Sequence, residues 1–284
     1  MTIKTVEKPD ERVRREGTLR KLLRRPELGA VGGALLVWLF FAATAGDRGF
    51  LSLRGTANYL EVAAELGILA VAVALLMIAG EFDLSVGSMI GATGMITAVL
   101  SVEMGWNIWA AIAVSLVFAL AVGAINGVLV NRTKLPSFII TLATLFIIRG
   151  MTVGFTRLIT GRTQVSGIKE ALGFDSAAAF FASSLKILDP SSARGAMAEF
   201  SVSILWWFLV AALATYILLR TRPGNWIFGI GGDETAARNV GVPVNRMKIY
   251  LFMATALTAW LVSTIQVLSV GSADTCLLYT SPSP

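Results

Sequence analysis

Histidine is absent from this sequence, which removes the commonest general base and a favoured metal ligand. Cys276 is the single cysteine, so no internal disulfide can form and no Cys–His set can build a zinc site. Charge is sparse: 15% of residues are acidic or basic, against about 25% in an ordinary soluble domain. No Gly-x-x-x-x-Gly-Lys-Ser/Thr pattern occurs, so the run Gly229-Ile230-Gly231-Gly232 is not a phosphate loop. The chain is therefore not expected to hydrolyse ATP itself. Serines are plentiful, but none has a paired base. A polytopic membrane enzyme is disfavoured, and no catalytic residue, metal or cofactor is expected.

What fills the chain instead is apolar: 55% of residues are hydrophobic and the mean hydropathy is +0.73. Such a composition belongs in a lipid bilayer. The net charge of +6 is unevenly spread. Residues 1–25 carry nine Lys and Arg, from Lys4 to Arg25, against four acids. Next to an apolar span, a basic tail marks the cytoplasmic side of a membrane rather than a nucleic-acid contact.

A hydrocarbon core takes roughly 17–25 apolar residues per helix. Seven segments qualify: Leu28–Ala45, Glu61–Ala79, Leu84–Val102, Ile108–Val130, Phe138–Phe155, Val202–Leu219 and Ile249–Val270. The first resembles a signal-peptide core, because Ala43-Thr44-Ala45 has the small residues of a cleavage site. Its long charged leader and the spans that follow favour a retained anchor. With a cytoplasmic N-terminus, the segments 80–83, 131–137 and 220–248 fall inside. Arg132 and Lys134, then Arg220, Arg222, Arg238, Arg246 and Lys248, obey the positive-inside rule; 80–83 has no basic residue and lends it nothing. Outside would lie 46–60, 103–107 and 156–201, the last long enough for short helices of its own.

Residues 78–91, IAGEFDLSVGSMIG, place two carboxylates in the middle of the apolar run. Gly87 and Gly91 are four apart, a spacing that lets neighbouring helices approach closely in lipid. Two roles are open to Asp83: a cap for the helix beginning at Leu84, or a group in a polar pathway. Glu81 has no capping role, and an acid inside a membrane segment faces the bundle interior or a wet cavity. A helix break there is tolerated where it lines such a cavity. In the loop 224–248, Asp233 is a good N-cap, Glu234–Val240 spans about two turns, and Gly241 suits the C′ position before Pro243. Glu234 and Arg238 are placed to pair and both suit the helix dipole. So short a helix is marginal alone; it is either a solvated connector or a helix stabilised by docking on a soluble partner.

The stretch Gly80-Glu81-Phe82-Asp83-Leu84-Ser85-Val86-Gly87-Ser88 resembles a motif of the membrane permeases of bacterial sugar ABC importers, the ribose, xylose and fructose type. The resemblance continues through Asn126-Gly127, Lys134-Leu135-Pro136-Ser137-Phe138-Ile139-Ile140-Thr141-Leu142 and Arg149-Gly150, over roughly residues 30–274. Residues 231–241 resemble the Gly-Gly-Asn-x-x-Ala-Ala-Arg-x-x-Gly loop of the same permeases, with Asp233 in place of Asn. It implies substrate-pathway residues at Glu81, Asp83, Ser85, Ser88 and Asn126. It also implies an ATPase-coupling segment built on Asp233, Glu234, Ala236, Ala237, Arg238 and Gly241. The partners implied are ATP-binding cassette subunits, a periplasmic or extracellular sugar-binding protein and a second permease copy, with no nucleic acid. The location implied is the bacterial inner membrane.

The expected fold class is all-α: a polytopic transmembrane helical bundle with a discontinuous region near 80–91 and a short cytoplasmic coupling helix. A basic cytoplasmic segment at 1–27 precedes the permease domain at 28–274. Residues 275–284, TCLLYTSPSP, depart from the family's pattern and are expected to be a non-native tail standing where further helices belong. Among other substrates, the resemblance leaves nucleosides and branched-chain amino acids open. An ion-coupled carrier using Glu81 or Asp83 is the rival from another class.

Overall fold

The structure is a computed structural model and describes residues 26–188 and 197–275. The basic run at 1–25 and residues 276–284 of the expected tail lie outside the described residues. The chain divides into two compact units, residues 1–56 and 57–284. In the first, α1 (Pro26–Ala45) leads into a 3₁₀ turn at Gly46–Arg48, and the rings of Trp38 and Phe41 meet Phe50 at 6.3 and 6.0 Å.

The second unit takes in nearly all of α2 (Leu53–Ile78). Then come α3 (Val86–Ala98, continued by a π turn at Val99–Glu103), α4 (Ile108–Thr133) and α5 (Ser137–Thr160). After α6 (Phe174–Phe181) follow α7 (Ser203–Arg220), α8 (Arg222–Gly232), α9 (Glu234–Asn239) and α10 (Val244–Val270). Seven helices among the described residues are long and apolar enough to cross a membrane, and they match the seven expected spans. The bundle is all-α in class.

Two helices form its centre. The spans Val86–Glu103 and Val244–Val270 are each 72% buried, whereas Ser203–Arg220 is 6% buried and turns apolar side chains such as Leu205 and Phe208 outward. Lipid gives apolar helices little reason to associate, so close approach depends on small residues. Gly123 and Gly127 on α4 supply it against α10: a Cβ at 127 would stand 2.6 Å from the Ile249 Cα, and one at 123 would stand 2.7 Å from the Phe252 carbonyl oxygen.

Several expectations need correction. The second span begins at Leu53, not Glu61, because Ser52 caps it there, its hydroxyl accepting from the Gly55 N–H at 3.0 Å; Glu65 within it accepts from the Gln266 amide at 2.7 Å. The discontinuity is narrower than 80–91. It ends at Ser85, and Gly87 and Gly91 sit within α3, where they thin the helix without breaking it. The segment 156–201 holds strands as well as short helices. There β2 (Ser184–Leu188) pairs antiparallel with β3 (Met197–Ser201), and β1 (Gln164–Ser166) pairs with β4 (Ser272–Asp274) from the far end of the chain. The loop 220–248 also contains α8, opened by Pro223 in its first turn and inserted through Ile227 and Ile230.

Candidate functional site

The break after α2 is built by local chemistry. Gly80 adopts φ +82°, and its N–H bonds the Met77 carbonyl while the Glu81 N–H reaches back to Leu76. This is the paired pattern that ends helices at a left-handed glycine. Residues 81–84 then run without helical bonds, and buried N–H groups need other acceptors. Two hydroxyls one turn apart on α5 provide them: Ser137 Oγ accepts from Phe82 N–H at 2.9 Å, and Thr141 Oγ1 accepts from Leu84 N–H at 3.1 Å.

Asp83 lies at the hub of a buried network. One carboxylate oxygen accepts from the Ser85 N–H at 2.9 Å and from its hydroxyl at 2.6 Å; the other accepts from Thr255 Oγ1 on α10 at 2.6 Å. Asp83 is therefore not the N-cap. Ser85 holds that position, and its hydroxyl is turned to Asp83 instead of to the helix. Asn126 Nδ2 on α4 donates to Ser85 Oγ at 3.1 Å, and Thr144 Oγ1 on α5 donates to Asn126 Oδ1 at 2.7 Å. The break thus contacts three helices through one chain of hydrogen bonds. Ser88 is buried beside it but donates to the Ser85 carbonyl at 2.8 Å rather than joining the chain.

Glu81 belongs to a second network. Its carboxylate meets Lys248 Nζ on α10 at 2.5 Å, and the same ammonium reaches Glu234 Oε2 on α9 at 2.7 Å. Arg238 Nη2 holds the other Glu234 oxygen at 2.6 Å and donates to Asn245 Oδ1 at 2.7 Å. Lys248 and Arg238 hold the Glu234 carboxyl below its usual range, against a smaller opposing effect of burial. Asp233 accepts from the N–H groups of Thr235 and Ala236 at 2.8 and 3.0 Å, an N-cap. At the other end Gly241 has φ +87°, with the same paired bonds, Gly241 N–H to Arg238 and Val242 N–H to Ala237. Ala237 is buried toward α8, whereas Ala236 is exposed; only the latter of the two can meet a partner directly.

Six residues of these networks are not marked as site residues by the sequence: Lys248, Asn245, Thr255, Thr144, Ser137 and Thr141. Lys248 was visible only as one of several loop charges, and hydroxyls inside apolar helices carry no spacing signal. Separately, a cavity of about 610 Å³ opens among α3, α4 and α5 and reaches Thr144. Its walls include Met95, Phe118, Ile147 and Phe155, so it suits hydrocarbon better than a polyol.

Residues 55–280 match the family described as branched-chain amino acid transport system / permease component. The chain belongs to that family. This permease is 32% identical over 262 residues to the xylose transport system permease protein XylH of Escherichia coli strain K12, covering 78% of this chain and 66% of that protein. It is 30% identical over 244 residues to the ribose import permease protein RbsC of the same strain, covering 85% of this chain and 69% of the relative. With the inner membrane ABC transporter permease protein YjfF of that strain it shares 32% over 205 residues, 72% of this chain and 57% of that protein. The chain thus spans just under two thirds of the xylose permease. No solved structure matches it.

Proposed function

We propose that this permease is the membrane-spanning subunit of an ATP-binding-cassette importer, forming the pathway for a monosaccharide that an external binding protein delivers. Family membership supports the reading, as do relatives named for xylose and ribose. One observation within the chain carries it. The six residues of α9 are too few for a helix stable on its own, yet it is capped at both ends and tied by Glu234 to Lys248. On its outer side Ala236, Asn239 and Val240 are exposed, the last 81% so. A braced ledge with an apolar tip fits a soluble protein, and the partner in this reading is the ATPase subunit that supplies hydrolysis.

In this reading the N-terminus and α9 are cytoplasmic, the membrane is a bacterial inner membrane, and two permease copies line the pathway. ATP-driven closure of the ATPases presses on α9 and tilts α10, giving alternating access. Asp83, Ser85 and Asn126, buried and bonded to one another in this structure, then reach sugar hydroxyls when the tilt of α10 parts their network, with Ser88 beside them. The permease makes no covalent bond to its cargo.

The apolar cavity favours a second substrate class, branched-chain amino acids, whose side chains it accommodates. The full-length permease, reconstituted in proteoliposomes with its ATPase and binding protein, would be tested for uptake of labelled xylose, ribose and leucine. ATP-dependent accumulation of a pentose is expected; leucine accumulation would select the second class. Uptake driven by an ion gradient without the ATPase would replace the importer with a secondary carrier. Gly241→Pro, impossible at φ +87°, should abolish ATPase stimulation while membrane insertion stays normal.

A further inference from the structure

The geometry points to Lys248 as the positioning residue that transmits movement of α9 to the break in the membrane helices; the identity of what moves α9 rests on the function proposed above. Lys248 is buried on the first turns of α10, and its single ammonium touches carboxylates from two other elements. Glu81 stands at the first residue past the Gly80 turn, and Glu234 stands at the first residue of α9. Charge balance does not demand this arrangement. One carboxylate neutralises one ammonium, yet here the second acid is retained and is balanced in turn by Arg238. Glu81 with Lys248 and Glu234 with Arg238 are each neutral as pairs, and the additional Lys248–Glu234 contact joins them into one set running from α9 to the break.

The mechanical consequence follows from burial. An exposed ion pair holds its partners weakly. Withdrawing one partner from a buried pair leaves an uncompensated charge, which is strongly unfavourable. Glu81 and Lys248 are 8% and 7% exposed, so a displacement of the lysine carries Glu81 with it; the Glu234 side chain is 41% exposed and is held to the buried ammonium by its 2.7 Å bond and by Arg238. From Glu81 the path is short. The next N–H, of Phe82, is held by Ser137, and the residue after that is Asp83, bonded to Thr255. A push on α9 therefore reaches the polar hub through three consecutive residues. A merely compensating ion pair would neutralise Lys248 equally well but would not make the break respond to α9.

The test reads that response directly. Hydrogen–deuterium exchange at the Phe82 and Leu84 amides would be followed for the full-length permease in lipid nanodiscs. The parent, Glu234→Gln, Lys248→Met, Lys248→Arg and each lysine variant combined with Glu234→Gln would be compared. Glu234→Gln should speed exchange at both amides about fivefold, a contribution in the range of coupled neighbours. Added to Lys248→Met, it should change nothing further, because the connection is already cut. Added to Lys248→Arg, which still reaches both carboxylates, it should act as in the parent. An equal effect of Glu234→Gln in the Met background, or no effect in the parent, would overturn the proposal. If Lys248→Met does not fold, Glu81→Leu, which has no acceptor for the Lys248 ammonium, serves as the disconnected background under the same criterion. ATPase stimulation measured on the same variants separates the two readings. Failure of any ATPase to respond to the parent removes the importer function, while the exchange pattern decides the role of Lys248 independently.

Discussion

Asp83 in the break and Thr255 on α10 share a hydrogen bond of 2.6 Å, although 172 residues separate them in sequence. The threonine hydroxyl also lies 2.9 Å from the Phe252 carbonyl, so it has a choice of acceptors. That choice predicts which substitutions the hub tolerates. In Asp83→Asn the amide oxygen can keep both Ser85 bonds while its NH₂ donates to Thr255, whose own proton turns to Phe252. The stability change should stay below about 1 kcal/mol. Asp83→Ser is too short to reach α10 and should cost on the order of 1–3 kcal/mol by leaving buried groups unpaired. Denaturation in detergent compares them, and an equal loss from both would refute the role assigned to Thr255.

Gly127→Ala should destabilise the bundle by about 1–3 kcal/mol. The added carbon would sit 2.6 Å from the Ile249 Cα, a backbone atom that cannot swing aside. Gly150→Ala is the control, since nothing lies within 4 Å of its would-be Cβ. Melting temperatures of the two variants should differ clearly, with Gly150→Ala close to the parent. Indistinguishable values would mean that α4 and α10 do not rely on this approach.

The α9 attachment should weaken in acid. Lys248, then Arg238, lower the Glu234 pKa below its ordinary value of 4.5 in the folded chain. A lowered folded value means the carboxylate stabilises the fold fully above the unfolded value, and the contribution disappears as pH falls through the folded one. Protection of the Gly241 and Val242 amides, which bond the Arg238 and Ala237 carbonyls, corrected for intrinsic exchange, should therefore hold at neutral pH and decline below 4.5. Glu234→Gln should flatten that decline. A profile unchanged by the substitution would assign the acid sensitivity to another group.

Orientation is testable with single cysteines at the exposed positions Gln164 and Asn239, with Cys276 replaced by serine. An impermeant thiol reagent on intact cells should label position 164 and leave 239 unlabelled, because loops rich in Lys and Arg are retained inside. The opposite pattern would put α9 on the wrong side for any ATPase and end the importer reading.

The α9 region was the most legible part of the site. Asp233, the Glu234–Arg238 pair and Gly241 all act within a few residues of one another, and all three features stand where the order of residues placed them. The break was legible as a break but not in extent, because Gly87 and Gly91 read alike whether they interrupt a helix or thin it for packing. A capping role for Asp83 is open in the sequence; in the structure one carboxylate oxygen takes Ser85 and the other takes Thr255 on a helix 172 residues away. The strand at 164–166 was unreadable, its partner being 272–274.

By itself the sequence determined the membrane class, the seven spans and the ends of the short helix α9. The free energy of entering lipid sums over contiguous residues, and capping bonds join groups no more than a few positions apart. Only the tertiary structure decided that Lys248 would hold both Glu81 and Glu234, and that Asn126 would find Ser85 and Thr144. A buried polar group takes whichever partner packing brings within about 3 Å. Here small residues on α4 govern how closely α10 approaches, and α10 carries both Lys248 and Thr255 to the break.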